Sequence, residues 1–371
     1  MNDILKETRS RCPVCHASCP ATVRRVAGTP ETIHLFRTCP DHGSFDVCIA
    51  SDARFYWLSK GSGACCGGAA CCAGDGGSDG TLGRNADPGE ALGVQEKLST
   101  CLALIEIVNS CNLACPTCYA SSPQSAGIDS VPLDDIRSRV QGVIDRKGKI
   151  EILQLSGGEP TLHPGFFEIL DWCQSHPGIE YVLVNTNGVR VANDDGFFQE
   201  LAGRFRYGKF QLYLQFDGPQ EAGQRDLRGA DLRATRLRCL DRCAESGIPV
   251  TLAMTVTETN LPFLWETVSL GLARENIRGV SFQPVFGSGR GTLDGQSRLN
   301  AADVILNVVS QSAGQLRFED FTPLPCGDPN CATIGYLLRT PDGIRSVSDF
   351  LDFQSVQGFL RDRARYSLED L

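Results

Sequence analysis

The sequence has no apolar run long enough to cross a bilayer, which excludes a transmembrane helix as its organising element. It also lacks an excess of positive charge. Against 35 Lys and Arg stand 44 Asp and Glu, a net charge of −9, which argues against a nucleic-acid polyanion as the main partner. The N-terminal stretch Met1-Asn-Asp-Ile-Leu-Lys-Glu-Thr-Arg-Ser10 holds no apolar signal core, so the expected compartment is the cytoplasm. No basic amphipathic helix demands a membrane contact, and that question stays open. What the chain has in plenty is cysteine, 18 in 371 residues. A secreted disulfide scaffold is opposed by the chain's length, the missing export signal and the clustering of the cysteines in ligand-like spacings. In a reducing compartment such cysteines are metal ligands or catalytic groups. The length suffices for one large domain with satellites.

The densest cluster is Cys111-Asn-Leu-Ala-Cys115-Pro-Thr-Cys118-Tyr119. It follows the apolar run Leu102–Val108, which reads as a buried strand. The thiols therefore lie on the loop leaving that strand's C-terminal end, the edge where α/β folds build active sites. A C-x3-C-x2-C spacing is one thiolate short of the four that a [4Fe–4S] cluster usually takes, so one iron is left open to a small molecule. The plainer alternatives are a zinc loop with a distant fourth ligand, or free core thiols.

Upstream, Cys12-Pro-Val-Cys15 and Cys39-Pro-Asp-His42 are two ligand knuckles of a structural zinc pattern, here Cys3His. Cys19 and Cys48 are alternative fourth ligands. Residues 21–28 and 31–38 look like two strands joined by a turn at Gly28-Thr-Pro30, giving a rubredoxin-like or zinc-ribbon module over 1–60. So small a unit needs a bound metal, zinc or iron, to supply folding energy. Residues 61–101 have linker composition, yet carry Cys65, Cys66, Cys71, Cys72 and Cys101. A subset of these thiols is a candidate ligand set for an auxiliary [4Fe–4S] cluster, against the alternative of spare thiols in a tail. Cys326 and Cys331, on a Pro- and Gly-containing loop of the 291–371 extension, are candidate ligands for another.

From 102 to 290 the chain alternates strand and helix. The spacing predicts strands at 102–108, 151–158, 181–188, 211–218, 250–257 and 279–286, with helices near 132–147, 164–176, 195–204, 233–247 and 262–276. Strands joined by helical crossovers imply a parallel α/β sheet covered on both faces. Polar residues and glycine gather at one end of each strand: Gly157-Gly158-Glu159-Pro160, Asn185-Thr-Asn187-Gly188, Gln215-Phe-Asp217-Gly218, Met254-Thr255 and Gln283. Strand-end glycines let a backbone approach a ligand closely. The arginines 225, 228, 233, 236 and 238 read as a solvated helix face, or as an anion site. Cys173, Cys239 and Cys243 read as small buried apolar residues. The loop Phe286-Gly-Ser-Gly-Arg-Gly291 has the composition of a phosphate cradle without a helix start behind it.

The cysteine spacing, Tyr119, the Gly-Gly-Glu-Pro strand end and the Thr186-Asn187-Gly188 strand end together resemble the radical S-adenosylmethionine (SAM) superfamily. The resemblance implies a partial (β/α)6 barrel whose catalytic Cys111, Cys115 and Cys118 hold a [4Fe–4S] cluster with an open iron chelated by SAM. It implies SAM contacts from Tyr119, Gly157, Gly158, Glu159, Asn185, Asn187, Gln215, Asp217 and Gln283. The implied chemistry is reductive cleavage of SAM to a 5′-deoxyadenosyl radical that abstracts hydrogen from a substrate C–H, with a flavodoxin- or ferredoxin-type electron donor. The N-terminal knuckles, the LQFDG strand and the late PLPCGDPNC stretch narrow the likeness to the subgroup of the archaeal tetraether lipid synthase, formerly grouped with pterin methyltransferases. That implies C–C bond formation on lipid alkyl chains or methylation of a small molecule. The chain departs from the subgroup in its short C-terminus and its recast vicinal cysteines. The competing readings are a peptide-modifying radical SAM maturase, a non-enzymatic Fe–S electron carrier and a zinc-dependent interaction protein.

Overall fold

The computed structural model describes residues 3–59, 102–124, 127–205, 208–291, 298–323 and 332–352. Cys65, Cys66, Cys71, Cys72, Cys101, Cys326 and Cys331 lie outside the described residues. The chain divides into two compact units, Met1–Thr100 with Asn300–Arg363 and Cys101–Leu299 with Ala364–Leu371.

The first unit opens with four antiparallel strands in sequence order, β1 (Asp3–Arg11), β2 (Ser18–Val26), β3 (Thr32–Cys39) and β4 (Gly43–Ala50), followed by α1 (Ala53–Ser59). Two of these strands were legible in sequence. β1 is a charged edge strand with scarcely any buried face, so it leaves no alternating apolar signal.

The second unit alternates β5 (Leu102–Val108), α2 (Leu133–Lys147), β6 (Ile150–Gly157), α3 (Phe166–Ser175), β7 (Ile179–Thr186), α4 (Val189–Asn193), α5 (Asp195–Phe205), β8 (Phe210–Gln215), α6 (Gln224–Arg228), α7 (Arg233–Glu245), β9 (Val250–Val256), α8 (Leu264–Leu272) and β10 (Ile277–Pro284). The six strands are parallel and ordered β10-β9-β8-β7-β6-β5, so the sheet is open and β5 and β10 are its edges. One face is apolar: Leu153, Leu155, Val182, Val184, Leu212, Leu214, Val250 and Leu252 join the core with helix residues such as Ile136, Ile169 and Leu240. Cys173, Cys239 and Cys243 are buried in that core as small apolar residues, as their surroundings in sequence suggested.

The chain then returns to the first unit. Helix α9 (Ala301–Gln311) starts on a capping box made by Asn300 and Asp303, and its Ala302 and Ile305 pack with Val23, Ile33, Phe55 and Tyr56. Two short hairpins follow, β11 (Phe321–Pro323) with β12 (Thr333–Gly335) and β13 (Leu337–Thr340) with β14 (Gly343–Ser346).

Register in the barrel depends on how tightly β6 meets β5. A Cβ on Gly158 would lie 2.1 Å from the Ser110 carbonyl oxygen, and one on Gly157, at φ +133°, the same distance from that of Val108. The glycines are thus required for the approach of one strand end to another. Gly158→Ala is expected to cost about 1–3 kcal/mol by overpacking, read as a lower urea midpoint for the barrel transition.

Candidate functional site

The cysteine loop leaves β5 at Asn109 and is fastened to the next two strand ends. Gly158 N donates to the Val108 carbonyl at 2.8 Å and Glu159 N to that of Ser110 at 3.0 Å. Glu159 is buried, and its carboxylate is a knot. Oε1 accepts from Thr161 Oγ1 at 2.7 Å and Thr186 Oγ1 at 2.8 Å; Oε2 accepts the Asn187 backbone N–H at 2.8 Å. Burial raises its pKa, and the donors from Asn187, Thr161 and Thr186 pull it only partway back. Asn187 in turn donates from Nδ2 to Asn112 Oδ1 at 2.7 Å, within the cysteine loop, and lies 3.9 Å from Cys111 Sγ. Cys111, Glu159 and Asn187 are therefore brought together.

A second knot closes β8 and β9. Asp217 sits at φ 60°, a left-handed position uncommon for a non-glycine residue. Its carboxylate bonds Arg228 Nε at 2.6 Å, Arg228 Nη2 at 2.8 Å and Gln215 Nε2 at 2.8 Å, and accepts the Thr255 N–H at 3.1 Å; Arg236 Nη1 is 3.1 Å away. Burial works against its charge, but Arg228 and Arg236 prevail and hold its pKa down to about 2. This corrects the reading of the arginines as a solvated helix face. Arg225 and Arg238 do face solvent, but Arg236 is fully buried and Arg228 nearly so, because each needs the carboxylate and the carboxylate needs both. Helix α6 carries this knot to the cysteine loop. Thr117 Oγ1 donates to the Leu227 carbonyl at 3.2 Å, and Gly229 abuts Ala114 and Pro116.

The remaining sequence candidates spread along the sheet's other face. There polar side chains bond strand to strand: Gln154 to Asn185 at 2.6 Å, Asn185 to Ser156 at 3.1 Å, Gln211 to Thr251 at 2.9 Å, Tyr213 to Ser281 at 2.7 Å and Gln283 to Tyr213 at 2.9 Å. The Tyr213–Ser281 bond reaches from β8 to β10 across β9, which a concave face allows. Gln211, Tyr213 and Ser281 were not among the sequence candidates. The signal for them was present, as the polar half of the β8 and β10 alternation. Tyr119 is half-exposed beside the third cysteine, and Met254 is buried with its sulfur accepting from Thr267 Oγ1 at 3.4 Å.

The loop 286–291 is no phosphate cradle. The Arg290 N–H is given to the Cys118 carbonyl at 2.9 Å and the Gly291 N–H to that of Ser288 at 3.1 Å, so these amides are already engaged.

The two cysteine groups differ in spacing. In the first unit, Cys12 Sγ and Cys39 Sγ lie 3.7 and 3.5 Å from His42 Nδ1, and Cys15 Sγ lies 3.8 Å from Cys39 Sγ. A tetrahedral zinc with about 2.3 Å bonds to sulfur and about 2.0 Å to nitrogen sets S–S edges near 3.8 Å and S–N edges near 3.5 Å. The quartet fits one zinc ion. His42 also draws the Cys39 pKa down to about 6, toward the thiolate a metal needs. Cys19 points its thiol at the Ala17 carbonyl and stands outside the quartet. Among the described residues no other group of ligand atoms is so tight, Cys111, Cys115 and Cys118 included. A cluster suits such looser spacing, because it takes each thiolate on a separate iron. Burial, then the nearby Glu159, Cys115 and Cys118, pushes the Cys111 pKa up to about 11. A buried thiolate disfavoured in this way is stabilised by bound cationic iron, so the donor set fits a cluster.

Comparisons with known proteins agree with this division. Residues 105–264 match the radical SAM superfamily, and residues 4–51 match the HMPTM N-terminal zinc ribbon domain. The 7,8-dihydro-6-hydroxymethylpterin dimethyltransferase of Methanocaldococcus jannaschii is 28% identical over 96% of this chain and 72% of its own length. The mycofactocin maturase MftC of Mycobacterium ulcerans is 28% identical over 42% of this chain, which spans 40% of that protein. Among solved structures, Streptococcus suis SuiB bound to its precursor peptide SuiA overlaps with a TM-score of 0.46 at 16% identity, over 65% of this chain and 55% of that one, too loose a likeness to bear on the site. No helix among the described residues is long and apolar enough to cross a membrane.

Replacing Asp217 by Asn leaves two buried guanidinium groups undercompensated and is expected to cost about 3–5 kcal/mol in urea unfolding. Against the opposing effect of burial, Arg228 and Arg236 hold the native carboxyl at about 2, below its unfolded value of about 3.9. The wild type therefore holds the proton-linked part of this stability, about 2–3 kcal/mol, above pH 4 and loses only that part as pH falls toward 2. The Asn variant is expected to lack that part of the acid dependence.

Proposed function

The chain belongs to the radical SAM superfamily, and we propose that its barrel acts on a small polar molecule in a methylation or related C–H functionalisation. Cys111, Cys115 and Cys118 would hold a [4Fe–4S] cluster, which when bound would supply the electron for reductive cleavage of SAM and so the radical chemistry that abstracts hydrogen from a substrate. The protein's own contribution is positional. Glu159 holds the ends of β6 and β7 in register with the cysteine loop, and the Asp217 knot holds the ends of β8 and β9. Asn185, Gln215 and Gln283 stand on the polar face, where we infer contacts to SAM or substrate.

The observation that carries the substrate reading is that polar face. Its amides and hydroxyls are prealigned by bonds between strands. Neutral donors and acceptors prealigned in this way suit a flat heterocycle with several polar edges. The dihydropterin named for the Methanocaldococcus relative belongs to that chemical class. The lipid substrate implied by the tetraether-synthase likeness needs an apolar channel instead. The zinc in the first unit is structural in this reading. Auxiliary clusters on Cys65, Cys66, Cys71, Cys72, Cys101, Cys326 and Cys331 rest on the sequence alone. The electron donor is a flavodoxin or ferredoxin, and the free thiols of the described residues fit the cytoplasm.

The test is anaerobic turnover with dithionite and methyl-labelled SAM. Formation of 5′-deoxyadenosine is expected to rise when 7,8-dihydro-6-hydroxymethylpterin is added, with label in the product, and not with phospholipid vesicles. Stimulation by the vesicles alone would overturn the polar-substrate reading.

A further inference from the structure

The loop that follows β10 has a task that its glycine-rich sequence did not suggest. The sheet is open, with β5 and β10 unpaired to each other, yet this loop reaches the loop leaving β5. Arg290 makes three hydrogen bonds there. Its backbone N–H donates to the Cys118 carbonyl at 2.9 Å, Nε to the Cys115 carbonyl at 3.0 Å and Nη1 to the Ser122 carbonyl at 2.8 Å. Ser288 Oγ adds a bond to the Tyr119 carbonyl at 3.5 Å. Gly289, at φ +61°, lets the loop come close enough; a Cβ there would lie 2.3 Å from the carbonyl oxygens of Cys118 and Tyr119.

All four bonds end on backbone carbonyls between 115 and 122, and none on a thiol. The rigid guanidinium fork spans two carbonyls on opposite sides of the Cys118 turn, which a lysine ammonium does not match. The cysteine loop has no helix or strand of its own, so ordering it costs backbone entropy, and the contacts from loop 286–291 offset part of that cost before any iron arrives.

We propose that Arg290, seated by Gly289, is a positioning residue that latches the cysteine loop across the open side of the sheet and so holds the cluster in place. The identity of the cluster rests on the radical SAM reading; the latch itself does not. Two measurements separate them. On anaerobically reconstituted protein, iron release to a ferrous chelator is expected to be several-fold faster in Arg290→Ala and in Gly289→Ala. Arg290→Lys, which keeps the charge but loses the fork, is expected to resemble the alanine variant, while the zinc of the first unit stays bound in all three. On metal-free protein, hydrogen exchange of the amides of residues 112–122 is expected to quicken in the same variants, with exchange in β6 to β9 unchanged. Wild-type rates of iron release in Arg290→Ala, or full rescue by lysine, would overturn the latch. If the wild type binds no cluster, the radical SAM reading fails, and unchanged exchange in the variants would still sink the latch separately.

Discussion

The barrel end depends on one buried carboxylate. Glu159 accepts from the residues that end β6 and β7, while its own backbone N–H bonds the Ser110 carbonyl at the end of β5. Three strand ends and the cysteine loop thus meet at a group that pays for its burial with several hydrogen bonds. A carboxylate of this kind is stable only while each donor is in place, so the strands cannot slip without exposing an unsatisfied charge. The two glycines before it serve the same end by letting the β6 terminus come close to the carbonyls of Val108 and Ser110. Asn187 then passes the constraint to Asn112, beside Cys111.

The two thiol groups illustrate how spacing selects a metal. Cys12, Cys15, Cys39 and His42 converge at the edge lengths of a single tetrahedral ion, on knuckles between antiparallel strands. Cys111, Cys115 and Cys118 share one loop but do not converge to that degree. The first arrangement closes its coordination with protein ligands and suits a structural role. The second offers three thiols on one loop, the set that the proposed cluster requires.

Much of this was legible in the sequence. The four inner strands and the five long helices announce themselves because each buries an apolar face and ends on glycine or polar residues. The edge strand β5, read in the sequence as buried, instead leaves Leu102 and Leu104 exposed, because no described strand pairs beyond it. The zinc quartet is legible for a different reason, since knuckle spacing is nearly independent of the fold around it. What was illegible is long-range pairing. Nothing in the order of residues says that Arg228 and Arg236 turn inward, because their need for Asp217 arises only once β8 and α7 are packed. The same holds for the loop 286–291, whose glycines look like a ligand cradle until the carbonyls of Cys118 and Tyr119 are seen to fill the space. The packing of α9 against the N-terminal strands is also invisible, since a compact unit built from both ends of a chain leaves no local mark.

The most direct test of the account is a metal inventory after anaerobic reconstitution, comparing the wild type with a Cys12/Cys15/Cys39→Ser variant and a Cys111/Cys115/Cys118→Ala variant. If the two sites are what their spacings say, the first variant loses zinc and keeps the barrel iron and sulfide, and the second loses one cluster's worth of iron and sulfide and keeps zinc. Unchanged iron in the Cys111/Cys115/Cys118 variant, or loss of zinc from it, would contradict the account.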